Sequence, residues 1–336
     1  MKRICITRNL SKSSSSDLSS LVTIVKATTL LWLLALVAML FMLEIVWGPA
    51  GFDLHVVEIV RLPRAEGALL AGVLLAVAGL VMQTVLRNPL ADPYLLGVSG
   101  VAQLTAVISY VLWRMAGAPY VGYFTGAMLG AAGATLLLLF LSRRVDLLVV
   151  LMTGVLMSFV SFSAIQVVLV LLPPEELGYV YLGLQGNFAA FPAGLLGYAL
   201  ATVAVAVYAA VYAHARHIAA LAHGEEAAAG LGADVKRASA VALVATSVAV
   251  GVVAASVGPI GFIGLLAPHM ARWIAGRHRF DKVLWYAAAL GPALALAADL
   301  AVRLMPREIP VNTVLTLIGA PVAAYLMWRY VGGIRG

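Results

Sequence analysis

The sequence predicts an all-α polytopic membrane protein with about ten transmembrane helices per subunit. Three observations carry this reading. Hydrophobic residues make up 63% of the 336-residue chain and charged residues only 11%, too little polar surface to cover a soluble domain of this length. The apolar residues fall in runs of about 20, the length that crosses a bilayer as a helix, without the alternation of barrel strands. Short polar loops carrying most of the Lys and Arg separate the runs.

Residues 1–20 form a basic, Ser-rich tail in which Lys2, Arg3, Arg8 and Lys12 precede Ser13 to Ser16. No small-residue cleavage pattern follows the first apolar stretch, so it reads as an uncleaved helix after a cytoplasmic tail. From there residues 21–336 read as one transmembrane domain. The expected helices lie near 21–46, 64–86, 94–113, 120–142, 147–172, 192–213, 238–256, 259–275, 283–304 and 311–330. The second carries Gly67, Gly72 and Gly79, and the fourth Gly122, Gly126, Gly130 and Gly133. Glycines at this spacing let helix backbones approach closely where lipid supplies no hydrophobic drive. Pro259, Gly261, Gly264 and Pro268 interrupt the eighth run, which leaves a broken or partly re-entrant segment open.

With the tail inside, alternation places most cations on the cytoplasmic side, as loop bias requires. The exceptions are Arg61, Arg64, Arg114, Arg303 and Arg307. The net charge of +7 is therefore read as loop bias rather than as a nucleic-acid-binding surface. Cys5 is the single cysteine, so an internal disulfide is excluded. The longest inside loop, about 214–237, is Ala-rich and split by Gly224, Gly230 and Gly232, which predicts two short helices joined by glycine turns. The longest outside loop, Pro173 to Phe191, carries Glu175, Glu176, Tyr179, Tyr181 and Phe188 and reads as an interfacial segment.

Several chemistries are missing from the sequence. There is no G-x-x-x-x-G-K-[ST] phosphate loop, so any ATP that drives the protein is bound by another subunit. His214, His217 and His223 share a loop without partnering carboxylates at helical spacing, which argues against a metal site. No nucleophile–base set or carboxylate pair points to catalysis. Glu66 and Asp299 are the ionisable residues noted within the spans, and both are expected to be satisfied by ion pairs near the outer surface.

Four stretches carry a family resemblance: RLPRAEGALLAGVLLAVAGLVMQTVLRNPLADPYLLGVSG from Arg61, HGEEAAAGLGADVKR in the long loop, GPIGFIGLLAPHMAR from Gly258, and ADLAVRLMPREIPVNTVLTLIGAPVAAYL from Ala298. In order and spacing they resemble the permeases of type II ABC importers, which take up vitamin B12, ferric siderophores, haem and, in some members, molybdate. The resemblance implies a homodimer in the cell membrane of a prokaryote, with both termini cytoplasmic. It also implies two ATP-binding subunits that hold the ATP and magnesium, an extracytoplasmic substrate-binding protein, and no cofactor or metal in this chain.

Carried over by residue, the resemblance makes Arg61, Arg64 and Arg303 the outer patch that receives acidic groups of the binding protein. These are also cations that break the inside bias, and rim charges suit steering of a docked partner. Gly224, Glu225, Leu231 and Gly232 fall on the coupling loop that engages the ATPase. Asp146, Leu147 and Leu148 fall on the inner gate, where vitamin B12 permeases carry small hydroxyl residues instead. The turn with Asn88, Pro89 and Pro93 reads as structural. The implied cargo is an iron(III)–siderophore chelate or cobalamin, with haem and molybdate as further candidates. An ion-coupled transporter using Glu66 and Asp299, or a non-transporting scaffold, would be the rival classes.

Overall fold

A computed structural model describes residues 28–48, 51–116, 122–275, 279–305 and 309–334, and every regular element among them is helical. Cys5, the tail cations, Lys26, Arg277, Arg307 and Arg335 lie outside the described residues. The chain runs through α1 (Thr28–Val46), α2 (Leu54–Val85), a 3-10 turn at Pro93–Leu96, α3 (Val98–Ala116), α4 (Tyr123–Ser142), α5 (Leu147–Leu171) and α6 (Pro174–Leu184). It continues through α7 (Leu195–Ala213), α8 (Ala215–Leu221), α9 (Glu225–Gly230), α10 (Val235–Ser256), α11 (Ile263–Ala275), α12 (Phe280–Arg303) and α13 (Val311–Ile334).

Seven of these helices, α1, α2, α4, α5, α7, α10 and α12, are long and apolar enough to cross a membrane. With α3, α11 and α13 they account for the ten runs expected from the sequence. The helix α2 begins ten residues before its expected start at 64. The ladder widens to a π-turn at Val57–Arg61, where the Leu62 N–H donates to Val57 O. A wider turn just ahead of a proline absorbs the bond that the ring cannot donate.

The centre of the bundle is α2, α10 and α12, each with nearly three quarters or more of its most apolar stretch buried. Small residues bring these backbones together. A Cβ at Gly72 would lie 2.5 Å from Pro292 Cα, and one at Gly79 would lie 1.8 Å from the Gly264 carbonyl oxygen. Any side chain would push α2 off α12 or α11. Gly133 differs from this expectation, because nothing lies within 4 Å of where its Cβ would be.

The interrupted eighth run resolves into a non-helical stretch at residues 257–262 followed by the 13-residue α11. This stretch packs inside the bundle against two other breaks, residues 185–191 and the turn at Pro93–Leu96. Val257, Ile260, Phe188 and Leu96 are all buried. Irregular backbone at such depth is tolerated only if its polar groups find partners in the protein. They do: Asn187 N donates to Val257 O at 2.8 Å, Ile260 N to the Tyr94 hydroxyl at 2.8 Å, and Gly261 N to Asn312 Oδ1 at 2.9 Å. Nearby, Arg272 donates to Gln83 Oε1 at 2.5 Å while Gln83 donates to the Gly264 and Leu265 carbonyls, tying α11 to α2.

The loop from Pro173 to Phe191, expected as an interfacial segment, contains a helix. Its helix α6 is anchored to the end of α3 by Arg114, whose Nε donates to Glu176 Oε1 at 2.7 Å. That hydrogen bond holds the Glu176 carboxyl below its ordinary range.

Candidate functional site

The strongest concentration of buried charge lies where the C-terminal end of α1 meets the start of α2 and the end of α12. Arg64 grips Asp299 bidentately, Nε to Oδ2 at 2.7 Å and Nη2 to Oδ1 at 2.9 Å. Arg303, one turn further along α12, reaches Asp299 Oδ2 at 3.5 Å and pairs with Glu44 of α1. Glu44 and Asp299 are fully buried and Arg64 and Arg303 almost so.

Three guanidiniums facing two carboxylates leave an excess positive charge. Backbone carbonyls at the end of α1 take it up. Arg61 Nη1 donates to Ile45 O at 3.1 Å and Val46 O at 3.0 Å, and its Nη2 donates to Gly51 O. Arg303 Nη1 adds Glu44 O at 2.8 Å. The last carbonyls of a helix lack internal partners and carry partial negative charge, so they suit a cation. The cluster therefore caps α1 and fastens it to α2 and α12.

This placement corrects one expectation about geometry. Arg61, Arg64 and Arg303 do come together, but as a buried, internally paired cluster rather than an exposed basic rim; Arg61 is 3% and Arg64 4% exposed. The carboxylates that claim them are the reason. Asp299 was expected to pair with Arg303, whereas its closest partner is Arg64. Glu44 was missed altogether, although a lone carboxylate in the apolar run 21–46 is a signal that needs a partner. Glu66 departs from its expectation as well. Among the described residues no cation pairs with it, and it lines an apolar groove.

The second candidate site is the elbow formed by α8 and α9 between α7 and α10. Ile218, Leu221 and Ala228 turn inward and are buried, so the elbow is packed onto the bundle. Gly232, at φ +78°, ends α9. Its N–H donates to Ala229 O at 2.9 Å and the next N–H, of Ala233, to Ala228 O at 3.0 Å, the paired bonds of a Schellman termination that a left-handed glycine permits. Gly224 precedes α9 and Glu225 opens it, exposed. Leu231, at the tip, is 70% exposed.

The third candidate set opens α5. Asp146 is its N-cap residue and is exposed, Leu147 is half-buried and Leu148 is 66% exposed. Along the same helix Met152, Leu156 and Phe159 are also exposed, so no described residue of the subunit covers this face. Among the described residues no cluster of His, Cys, Asp or Glu could hold a metal ion.

The sequence model of the FecCD transport family matches residues 18–329. The chain belongs to that family. It is 32% identical to the ferric enterobactin transport system permease FepD of Escherichia coli K12, over 84% of each chain. It is 30% identical to the vitamin B12 import system permease BtuC of Serratia proteamaculans, again over 84% of each. Its fold matches the inward-facing structure of a metal-chelate type ABC transporter with a TM-score of 0.80, at 24% identity, covering 90% of this chain and 99% of the other. The charged cluster, the elbow and the open face of α5 are thus features of a polytopic FecCD permease, a transport subunit of an ABC importer.

Proposed function

We propose that two copies of this FecCD permease form the membrane channel of an importer that moves a ferric chelate or cobalamin, delivered by an extracytoplasmic binding protein and driven by two ATPase subunits. The observation that carries the cargo class is the similarity, over 84% of each chain, to permeases named for ferric enterobactin and for vitamin B12. Iron chelates are the first choice, because a dicitrate permease of Escherichia coli K12 is also 32% identical.

In this reading the tail and both termini are cytoplasmic, and so is the elbow. Leu231 enters the ATPase, with Gly224, Glu225 and Gly232 fixing the elbow's shape. The exposed face of α5 meets its copy across the two-fold axis, and Asp146, Leu147 and Leu148 stand at the inner mouth of the path. The binding protein docks over the buried arginine cluster. Arg61, Arg64 and Arg303 serve docking by holding the ends of α1, α2 and α12 in register, and their one excess positive charge draws acidic groups of the partner toward this end. The chain itself binds no ATP, magnesium or other cofactor.

The test is gentle purification of the tagged chain from its native membrane, with mass spectrometry for partners and an absorption spectrum for ligand. An ATPase, a binding protein and a ferric-chelate or corrin spectrum are expected. Recovery without any ATPase, under conditions that preserve other membrane complexes, would overturn the reading and favour ion-coupled transport.

A further inference from the structure

A groove of about 370 Å³ runs along the side of the bundle between α1, α2 and α7. Phe41, Leu69, Val73, Tyr198 and Val205 line it, and Glu66 is its carboxylate. It is open laterally: Tyr198 is 63% exposed and Val205 68%, on a face that the surrounding membrane covers.

Glu66 is the anomaly in this groove. It lies two residues beyond Arg64, about 3 Å further along the helix axis and on a different face of α2, and it pairs with none of the three arginines. Arg64 is held by Asp299, Arg303 by Glu44 and Asp299, and Arg61 by the carbonyls ending α1. Among the described residues neither a cation nor a hydrogen-bond donor engages the carboxylate. A carboxylate beside hydrocarbon is costly unless a counter-charge reaches it. Among the described residues none supplies that charge, and the groove indicates what kind of molecule can bring one. From Glu66 to Val73 the groove wall extends about 10 Å along α2 at 1.5 Å per residue, all of it apolar and directed toward the middle of the span. An occupant that satisfies both features has an ammonium group at one end and a hydrocarbon chain behind it.

We propose that this groove binds an amine-bearing phospholipid, with its primary ammonium on Glu66 and an acyl chain lying against Leu69, Val73 and Val205. Along the α2 axis Glu66 is only about 3 Å from Arg64, whose cluster joins the ends of α1 and α12, and this level suits a lipid headgroup. A lipid with an anionic glycerol headgroup offers Glu66 no cation, and a free amine leaves the apolar wall uncovered. The site selects by headgroup and is entered from the bilayer side.

The experiment is native mass spectrometry of the delipidated full-length chain titrated with phosphatidylethanolamine or phosphatidylglycerol of identical acyl chains. The wild-type protein should retain the ethanolamine lipid about tenfold better, equivalent to about 1.4 kcal/mol. The isosteric Glu66→Gln variant should lose that headgroup preference while still binding lipid, and Val205→Trp, which fills the groove, should weaken both lipids. Equal retention of the two lipids by the wild type would overturn the proposal, as would an undiminished preference in Glu66→Gln. Displacement by free ethanolamine at equal concentration would also overturn it, since that would mark a small-amine site rather than a lipid site.

Discussion

Asp299 shows how much can rest on one side chain in this protein. It is fully buried, takes two hydrogen bonds from Arg64 and adds a contact to Arg303. Removing its charge leaves Glu44 as the remaining carboxylate of the cluster among the described residues. Asp299→Asn should therefore destabilise the purified protein by about 3 kcal/mol, the usual scale for breaking a buried pair by deleting one partner. Thermal unfolding in detergent checks this, and a shift in melting temperature too small to detect would show that the cluster is not a structural fastening. The sequence revealed that Arg61, Arg64 and Arg303 are special, because they violate the charge bias of the loops. It did not reveal that they are buried. That depends on Glu44 and Asp299 arriving from helices 259 and 235 residues away, and no local pattern encodes such a meeting.

The ten apolar runs were legible at the element scale because each span must be continuous hydrocarbon. Boundaries slipped where a charge or proline sits inside a helix, as at Arg61 and Pro63. The convergence of three helix breaks was only partly legible. Pro259 and Gly261 announced an interruption, while the partners that make it tolerable, Tyr94 and Asn312, come from distant elements. Tyr94→Phe removes the acceptor of the buried Ile260 N–H. It should cost about 1–3 kcal/mol, read as a lower melting temperature together with faster amide exchange at Ile260; unchanged exchange there would mean that the bond contributes little. The elbow makes a different prediction, because its critical residue is outside the core. Leu231→Asp should leave stability within about 0.5 kcal/mol, as exposed substitutions do, while abolishing co-purification of the ATPase subunit. A stable permease–ATPase complex in that variant would contradict the coupling role of the elbow.

Burial is uneven across the described residues. The helices α2, α10 and α12 are enclosed, whereas α5 presents Met152, Leu156 and Phe159 outward at helical spacing. In a dimer built on this face, a cysteine at position 156 approaches its own copy. Leu156→Cys in a Cys5→Ser background should give a disulfide-linked dimer on mild oxidation in membranes, seen as a doubled mass on a non-reducing gel. A monomer under the same conditions would place the two-fold axis elsewhere. The family was legible from four motifs in order, since these are the segments that fix the close approaches and the elbow. The cargo was less so, because the faces that meet it carry mostly apolar side chains common to many permeases.

The fastening of α1 also has a temporal side. Glu44 leaves the ribosome 259 residues before the Arg303 that pairs with it, an interval on the order of tens of seconds at typical synthesis rates. Until α12 is inserted, the first helix holds an incomplete latch at the membrane surface, and only nascent chains long enough to deliver Asp299 and Arg303 can close it. Truncated products that stop before α12 would lack the Arg303 that pairs with Glu44.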